Sequence, residues 1–133
     1  MKKNNLLKLS QEWFTKGDHD INSAQIIFNE KGFTDTICFL CQQATEKYLK
    51  GYLVFNNINP KKTHELSELV QRCGKIDKNI LDYLEEINIL NHYYIEARYP
   101  MDAPIFYSYE EAKQTIKITE SIIKFIADKI IKI

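Results

Sequence analysis

Arginine is scarce: of 18 basic residues only Arg72 and Arg98 carry a guanidinium, the planar donor best matched to carboxylate or phosphate. Lysine supplies the rest, and 18 acidic residues cancel them. A chain without net charge has no general attraction to nucleic acid or to an anionic membrane, so any such binding must come from a local patch. No apolar run approaches the ~20 residues that span a bilayer, and the start, MKKNNLLKLSQEW, lacks the apolar core of a secretory leader. A soluble, cytoplasmic protein with no membrane partner is expected. Cysteine is limited to Cys38, Cys41 and Cys73, an odd number. Cys38 and Cys41 form a CxxC, but inside an apolar helical pattern and without a second pair, so they are expected to pack, and no metal or cofactor is expected. Prolines occur only at 60, 100 and 104, and no sustained period-two alternation, repeat or low-complexity tract appears.

What is present is helical periodicity. In CQQATEKYLKGYLVF, residues 41–55, and the residues just before it, Ile37, Cys41, Ala44, Tyr48, Tyr52 and Phe55 share one side of a helix. Leu40, Gly51, Thr45, Cys38 and Leu49 widen that side to about half the circumference. A stripe so wide needs several neighbours, which makes this the central helix, expected over about Phe33 to Asn56. Gln42, Gln43, Glu46, Lys47 and Lys50 fill the remaining arc as a polar strip and a candidate working surface, with Phe39 stranded in it. The first helix is expected from about Gln11, or earlier, to Glu30, with Trp13, Gly17, Ile21, Ala24, Ile27 and Phe28 inward and Lys31-Gly32 as its stop. Asp20 falls on that inner face and needs a partner. Thr63 is the expected cap of a short third helix carrying Leu66, Leu69, Val70 and Cys73 and stopped at Gly74. A fourth follows Asp77 with Ile80, Leu84, Ile87, Leu90, Asn91, Tyr94, Ala97 and Arg98 on one face, and ends before Pro100. Ser108 and Glu111 form a capping box for the fifth, which buries Ala112, Ile116, Thr119, Ile123, Ile126 and Ile130. The expectation is one all-α domain over residues 1–133: an up-and-down antiparallel bundle of four long helices plus one short helix.

Two residues stand out chemically. Arg98, in EARYP, ends the fourth helix on its inward face, where it either closes the bundle in a salt bridge with Asp20 or Glu46 or holds a ligand. His64, in KKTHEL, lies near a helix start beside Lys61 and Lys62, a corner suited to an anion; its plainer reading is an exposed residue of a first turn. His19 and His92 have no metal-like partner and read as surface residues. Tyr93, Tyr94, Tyr99, Phe106, Tyr107 and Tyr109 gather near Arg98 in the sequence and either stack a base or form a helix-end core or dimer interface.

In the order Trp13, Asp20 and Ala24, then QQATEKYLKGYL at 42–53, THELSEL at 63–69, YYIEARYP at 93–100 and the helix after Ser108, the chain resembles the HEPN family, the higher-eukaryote and prokaryote nucleotide-binding domain. The resemblance covers nearly the whole chain and implies a helical bundle, commonly a homodimer. It also implies, for small prokaryotic members, pairing with a minimal nucleotidyltransferase, sometimes as a toxin–antitoxin-like pair. The family's ribonucleases carry an arginine followed four to six residues later by a histidine in a cleft at the dimer interface. Here Arg98 is followed by YPMDAPIFY and by no histidine at all, while Arg72 lies twenty residues before His92. No catalytic pair is therefore assigned. The positions that match the family's recurring polar ones are Glu46, Lys47, Lys50, Thr63, His64, Arg98, Tyr99 and Pro100. The expected function is binding of a nucleotide or nucleic-acid phosphate through Lys47, Lys50, His64, Arg98 and Tyr99, with Asp20 and Glu46 as structural partners. The alternatives are a metal-independent ribonuclease toxin using His64 and Arg98, and a noncatalytic scaffold.

Overall fold

Apolar side chains at three- and four-residue spacing must be covered, and here helices cover one another. The computed structural model describes the backbone of residues 3–98 and 107–131, and the side chains of these except 95–98 and 131. Its α-helices are α1 (Lys3–Asn29), α2 (Thr34–Phe55), α3 (Leu66–Gly74), α4 (Leu84–Arg98) and α5 (Tyr109–Ile131), with a 3-10 helix at Lys78–Tyr83. No strand occurs among the described residues.

Helix α2 is the centre, packing on α1, α3, α4 and α5. Directions follow from the contacts. Lys47 of α2 pairs with Asp20 of α1, Gly17 faces Ala44 and Tyr48, and Phe14 faces Gly51, so the two helices run antiparallel. Tyr83 meets Phe125 while Tyr93 reaches Glu111 and Thr115, so α4 and α5 are antiparallel as well. Cys38 meets Thr115 and Gln25 meets Glu120, which leaves α2 and α5 pointing the same way and α1 opposed to both. The result is the expected up-and-down bundle, with α3 as the short fifth helix.

The core holds Ile37, Leu49, Leu53, Leu66, Leu69, Ile80, Ile87, Leu90, Ile122 and Ile126, all fully enclosed. Ile122 and Tyr93 are buried although the helical patterning did not single them out. The three thiols are enclosed too: Cys38 contacts the Thr115 hydroxyl and Cys73 the Leu49 carbonyl. Burial pushes Cys38 up to about 11 and Cys41 and Cys73 up to about 12, so they pack as neutral thiols.

Helix ends differ in places from the patterning. The first helix already runs at Lys3. Its stop uses Lys31, not Gly32, as the left-handed residue (φ 58°), and Gly32 is needed because a Cβ there would meet Ile27 at 2.6 Å. Asp77 does cap by accepting from the Asn79 N–H, but what it caps is the 3-10 helix, and α4 begins only at Leu84. Ser108 accepts from Glu111 N–H at 3.0 Å. The Glu111 carboxylate accepts from the Tyr93 hydroxyl at 2.8 Å, tying α5 to α4.

Two stability predictions follow from these contacts. A Cβ on Gly17 would lie 2.7 Å from Cδ2 of Tyr48 and 3.3 Å from the Ala44 carbonyl oxygen. Gly17→Ala is therefore expected to lower stability by about 1–2 kcal/mol despite alanine's ~1 kcal/mol helix advantage, and a raised Tm would refute the close approach. Asp77 also bonds Lys129 of α5 at 2.7 Å. The Lys129 hydrogen bond, then that of the Asn79 N–H, hold its carboxyl below the ordinary carboxylate value of 3.8. A depressed folded-state value stabilises above the unfolded value and is lost as pH falls through the folded one. The Tm gap between wild type and Asp77→Asn should be present at about pH 6 and close at about pH 2; a gap independent of pH would exclude the ion pair as its source.

Candidate functional site

Part of the polar strip of α2 is closed to solvent. Gln42, Glu46 and Lys50 are 0%, 3% and 4% exposed: His64, in the segment between α2 and α3, lies on Gln42 and Glu46, and Trp13 of α1 lies on Lys50. The helical wheel showed which residues share a side but not what lies over it. Charges taken out of water need partners, and each has one. Glu46 accepts from Lys50 Nζ at 3.2 Å through Oε2 and lies 2.9 Å from Nδ1 of His64 through Oε1. Lys50 also sits over the Trp13 ring, 5.5 Å from its centroid. Lys47 is taken by Asp20.

His64 is gripped from two helices. From α2 come the Glu46 carboxylate and Gln42, whose Nε2 donates to the His64 carbonyl at 3.3 Å. Gln42 is itself oriented by Gln43 at 2.6 Å. From α4 comes Tyr94, its ring stacked on the imidazole with centroids 4.7 Å apart and planes 17° off parallel. Asn91, one turn earlier, accepts from the Leu66 N–H at 2.8 Å and donates to the Glu65 carboxylate at 3.0 Å. Asn91 is thus the side chain that satisfies the start of α3. Thr63, the expected cap, instead accepts from the Glu65 N–H at 3.1 Å, in a turn ahead of the helix, and His64 precedes α3 instead of standing in its first turn. Arg72 of α3 donates to the Asn59 carbonyl and braces the same segment.

Despite these contacts the His64 side chain remains 48% exposed. With Nδ1 on a carboxylate, the neutral ring carries its proton there and presents Nε2 as an acceptor, while the cation presents a donor. The arrangement suits either proton transfer or an anion contact at Nε2.

The expected site residues do not all assemble here. Glu46, Lys50 and His64 form one cluster, with Lys50 enclosed beneath. Asp20 and Lys47 form a separate pair. Arg98 ends α4, but its side chain and the whole of Tyr99 lie outside the described residues. The tyrosines expected to gather diverge: Tyr93 is buried against Tyr107, Tyr94 lies on His64 and Phe39, and Tyr109 donates to the Lys31 carbonyl beside Phe28. His19 and His92 are exposed, as expected. Gln42, Asn91 and Tyr94 were not recognised as holding His64; the polar Asn91 within an apolar face was the available signal. No group of three or more histidine, cysteine or acidic residues suited to a metal occurs among the described residues. Nor is any helix there long and apolar enough to cross a membrane.

Residues 10–130 match the sequence model of the HEPN domain. The chain belongs to the HEPN family. Its fold is similar to that of TT1696 from Thermus thermophilus, at 25% identity and a TM-score of 0.79, covering 90% of this chain and 97% of that one. It is likewise similar to ST0689, an archaeal HEPN homologue, at 25% identity and a TM-score of 0.75, covering 91% and 97%. No curated protein matches significantly. Among the described residues of this HEPN chain, the histidine bonded to a buried carboxylate comes from the segment before α3 and not from a position after Arg98.

The Lys50–Glu46–His64 cluster, buried at one end and exposed at the other, generates a contrast in stability. Glu46→Ala leaves the Lys50 ammonium enclosed without its carboxylate and should lower stability by about 3–5 kcal/mol. His64→Ala, at the exposed end, should lower it by about 1 kcal/mol. Denaturant titration of both variants checks this; equal losses would mean that Glu46 is not the anchor.

Proposed function

We propose that this HEPN protein binds the phosphate of a nucleotide or nucleic acid without cleaving it, with His64 as the contacting side chain. The observation that carries the reading is the fixing of His64. His64 serves Glu46 as a partner, but its stacked ring and clamped backbone go beyond what that bond needs, and ordering them costs rotamer entropy. Such preorganisation is what a ligand contact uses. Lys61 and Lys62, both exposed and just upstream, add positive charge for a phosphate. Arg98 and Tyr99 belong to the proposed site by their match to the family's polar positions. Lys50 acts from beneath by holding Glu46, and Lys47 contributes only if it leaves Asp20.

The protein is further proposed to act as a homodimer and as the accessory of a minimal nucleotidyltransferase, in a toxin–antitoxin-like pair, as the family resemblance implies. Large apolar side chains at Ile26, Phe33 and Ile89, exposed in the single chain, support an association of some kind. One geometric observation favours a second reading. The Glu46–His64 contact is how a carboxylate orients a histidine for general acid–base work, so a metal-independent ribonuclease would draw on His64 with Arg98.

Calorimetry with nucleotides and a short RNA separates the readings. Wild type should bind, and His64→Ala and Arg98→Ala, once shown to be folded, should bind at least about tenfold more weakly (~1.4 kcal/mol). Unchanged affinity in a variant removes that residue from the site. Labelled RNA should stay intact in chelator; cleavage there, abolished in His64→Ala, would replace binding by the ribonuclease reading.

A further inference from the structure

His64 is not stacked on a lone tyrosine. Phe39 lies 6.3 Å from Tyr94, centroid to centroid, with planes 22° off parallel, and Tyr94 lies 4.7 Å from His64 at 17°. Phe39 and Glu46 are seven residues apart on α2, a rise of about 10.5 Å. Tyr94 contacts two rings, one rooted at Phe39 and one bonded to Glu46. The three rings form a contiguous aromatic set, and His64, 48% exposed, is its outer member.

One face of His64 lies on Tyr94, and the Nδ1 edge lies on Glu46. Among the described residues the opposite face and Nε2 have no ring or hydrogen-bond partner, and the side chain as a whole is 48% exposed. An imidazole backed by Tyr94, itself against Phe39, on a chain held by Gln42 behind and Asn91 just beyond, is a preorganised platform.

We infer that His64, backed by Tyr94 and Phe39, is a stacking platform for an unpaired base, so that the ligand is a nucleotide or single-stranded RNA and not a duplex. The inference rests on the phosphate-binding reading above and specifies which further part of the ligand is recognised. A base within a duplex has both faces covered and cannot lie on the ring; an unpaired one can, and every base offers such a face. The exposed Lys61 and Lys62 lie three and two residues before the ring and add positive charge for the phosphates of a base stacked there. The nearest exposed carboxylate in sequence, Glu65, is held by Asn91. Recognition through a face implies tolerance of base identity, since it reads no hydrogen-bonding edge.

Fluorescence anisotropy with labelled oligoadenylate, alone and annealed to oligouridylate, tests this on the full chain. Wild type is expected to bind the single strand at least about tenfold more tightly than the duplex. His64→Ala and Tyr94→Leu should each lose about tenfold for the single strand, whereas Tyr94→Phe, which keeps its ring, should stay within about threefold of wild type, and His64→Phe, which keeps the ring but loses the phosphate contact, should bind more tightly than His64→Ala and keep the preference for the single strand. Circular dichroism melts confirm that each variant is folded, and the two positions give independent comparisons should one variant fail. Equal affinity for both RNAs, with His64→Phe as weak as His64→Ala, would overturn stacking and leave a phosphate contact through the ring nitrogen. No binding of either RNA by wild type would overturn both readings.

Discussion

A carboxylate that is almost wholly enclosed sets the terms for everything around it. Glu46 sits in the middle of the helix that touches all the others, 3% exposed, and a lone charge there would be prohibitively desolvated. Lys50 answers it from one side, and Lys50 in turn needs the Trp13 face of α1 above it. His64 answers from the other side and so fixes the segment between α2 and α3. One ionic requirement thereby positions an element on each flank of α2. The candidate site and the packing of the bundle are consequences of the same pair of bonds, and only at the outermost member, His64, can function be altered with little disturbance of the fold.

Much of the architecture was readable because it rests on local chemistry. Three- and four-residue spacing placed every long helix. Asp77 and Ser108 cap through their own neighbours, two and three residues away. What failed was whatever depended on residues distant in sequence. Thr63 looked like a cap because it precedes an apolar run, yet the Leu66 N–H is satisfied by Asn91, 25 residues on. The α2 polar strip looked like an exposed surface because periodicity assigns residues to sides of a helix without showing what covers them. The Glu46–Lys50 pair was legible from its four-residue spacing; the Glu46–His64 bond, spanning a reversal of the chain, was not.

Membership of the HEPN family places this chain among proteins whose ribonuclease members keep arginine and histidine close together in sequence. Here the two lie on different elements, His64 before α3 and Arg98 at the end of α4. Tyr94, one turn before Arg98, stacks on His64 and so links the two segments. The surroundings of His64 therefore depend on the packing of α4 against the α2–α3 connection, whereas a pair within one short stretch would depend only on local backbone geometry. A disturbance of either helix would be felt at the imidazole.

The three thiols carry a practical consequence. Every cysteine in the chain is enclosed and held neutral by its surroundings, with none at the surface. The thiols of the folded molecule are accordingly poor substrates for maleimides at neutral pH. A single cysteine introduced on the outer face of α1 or α5 would then take up a spectroscopic probe selectively, without first stripping the native sulfur from the core.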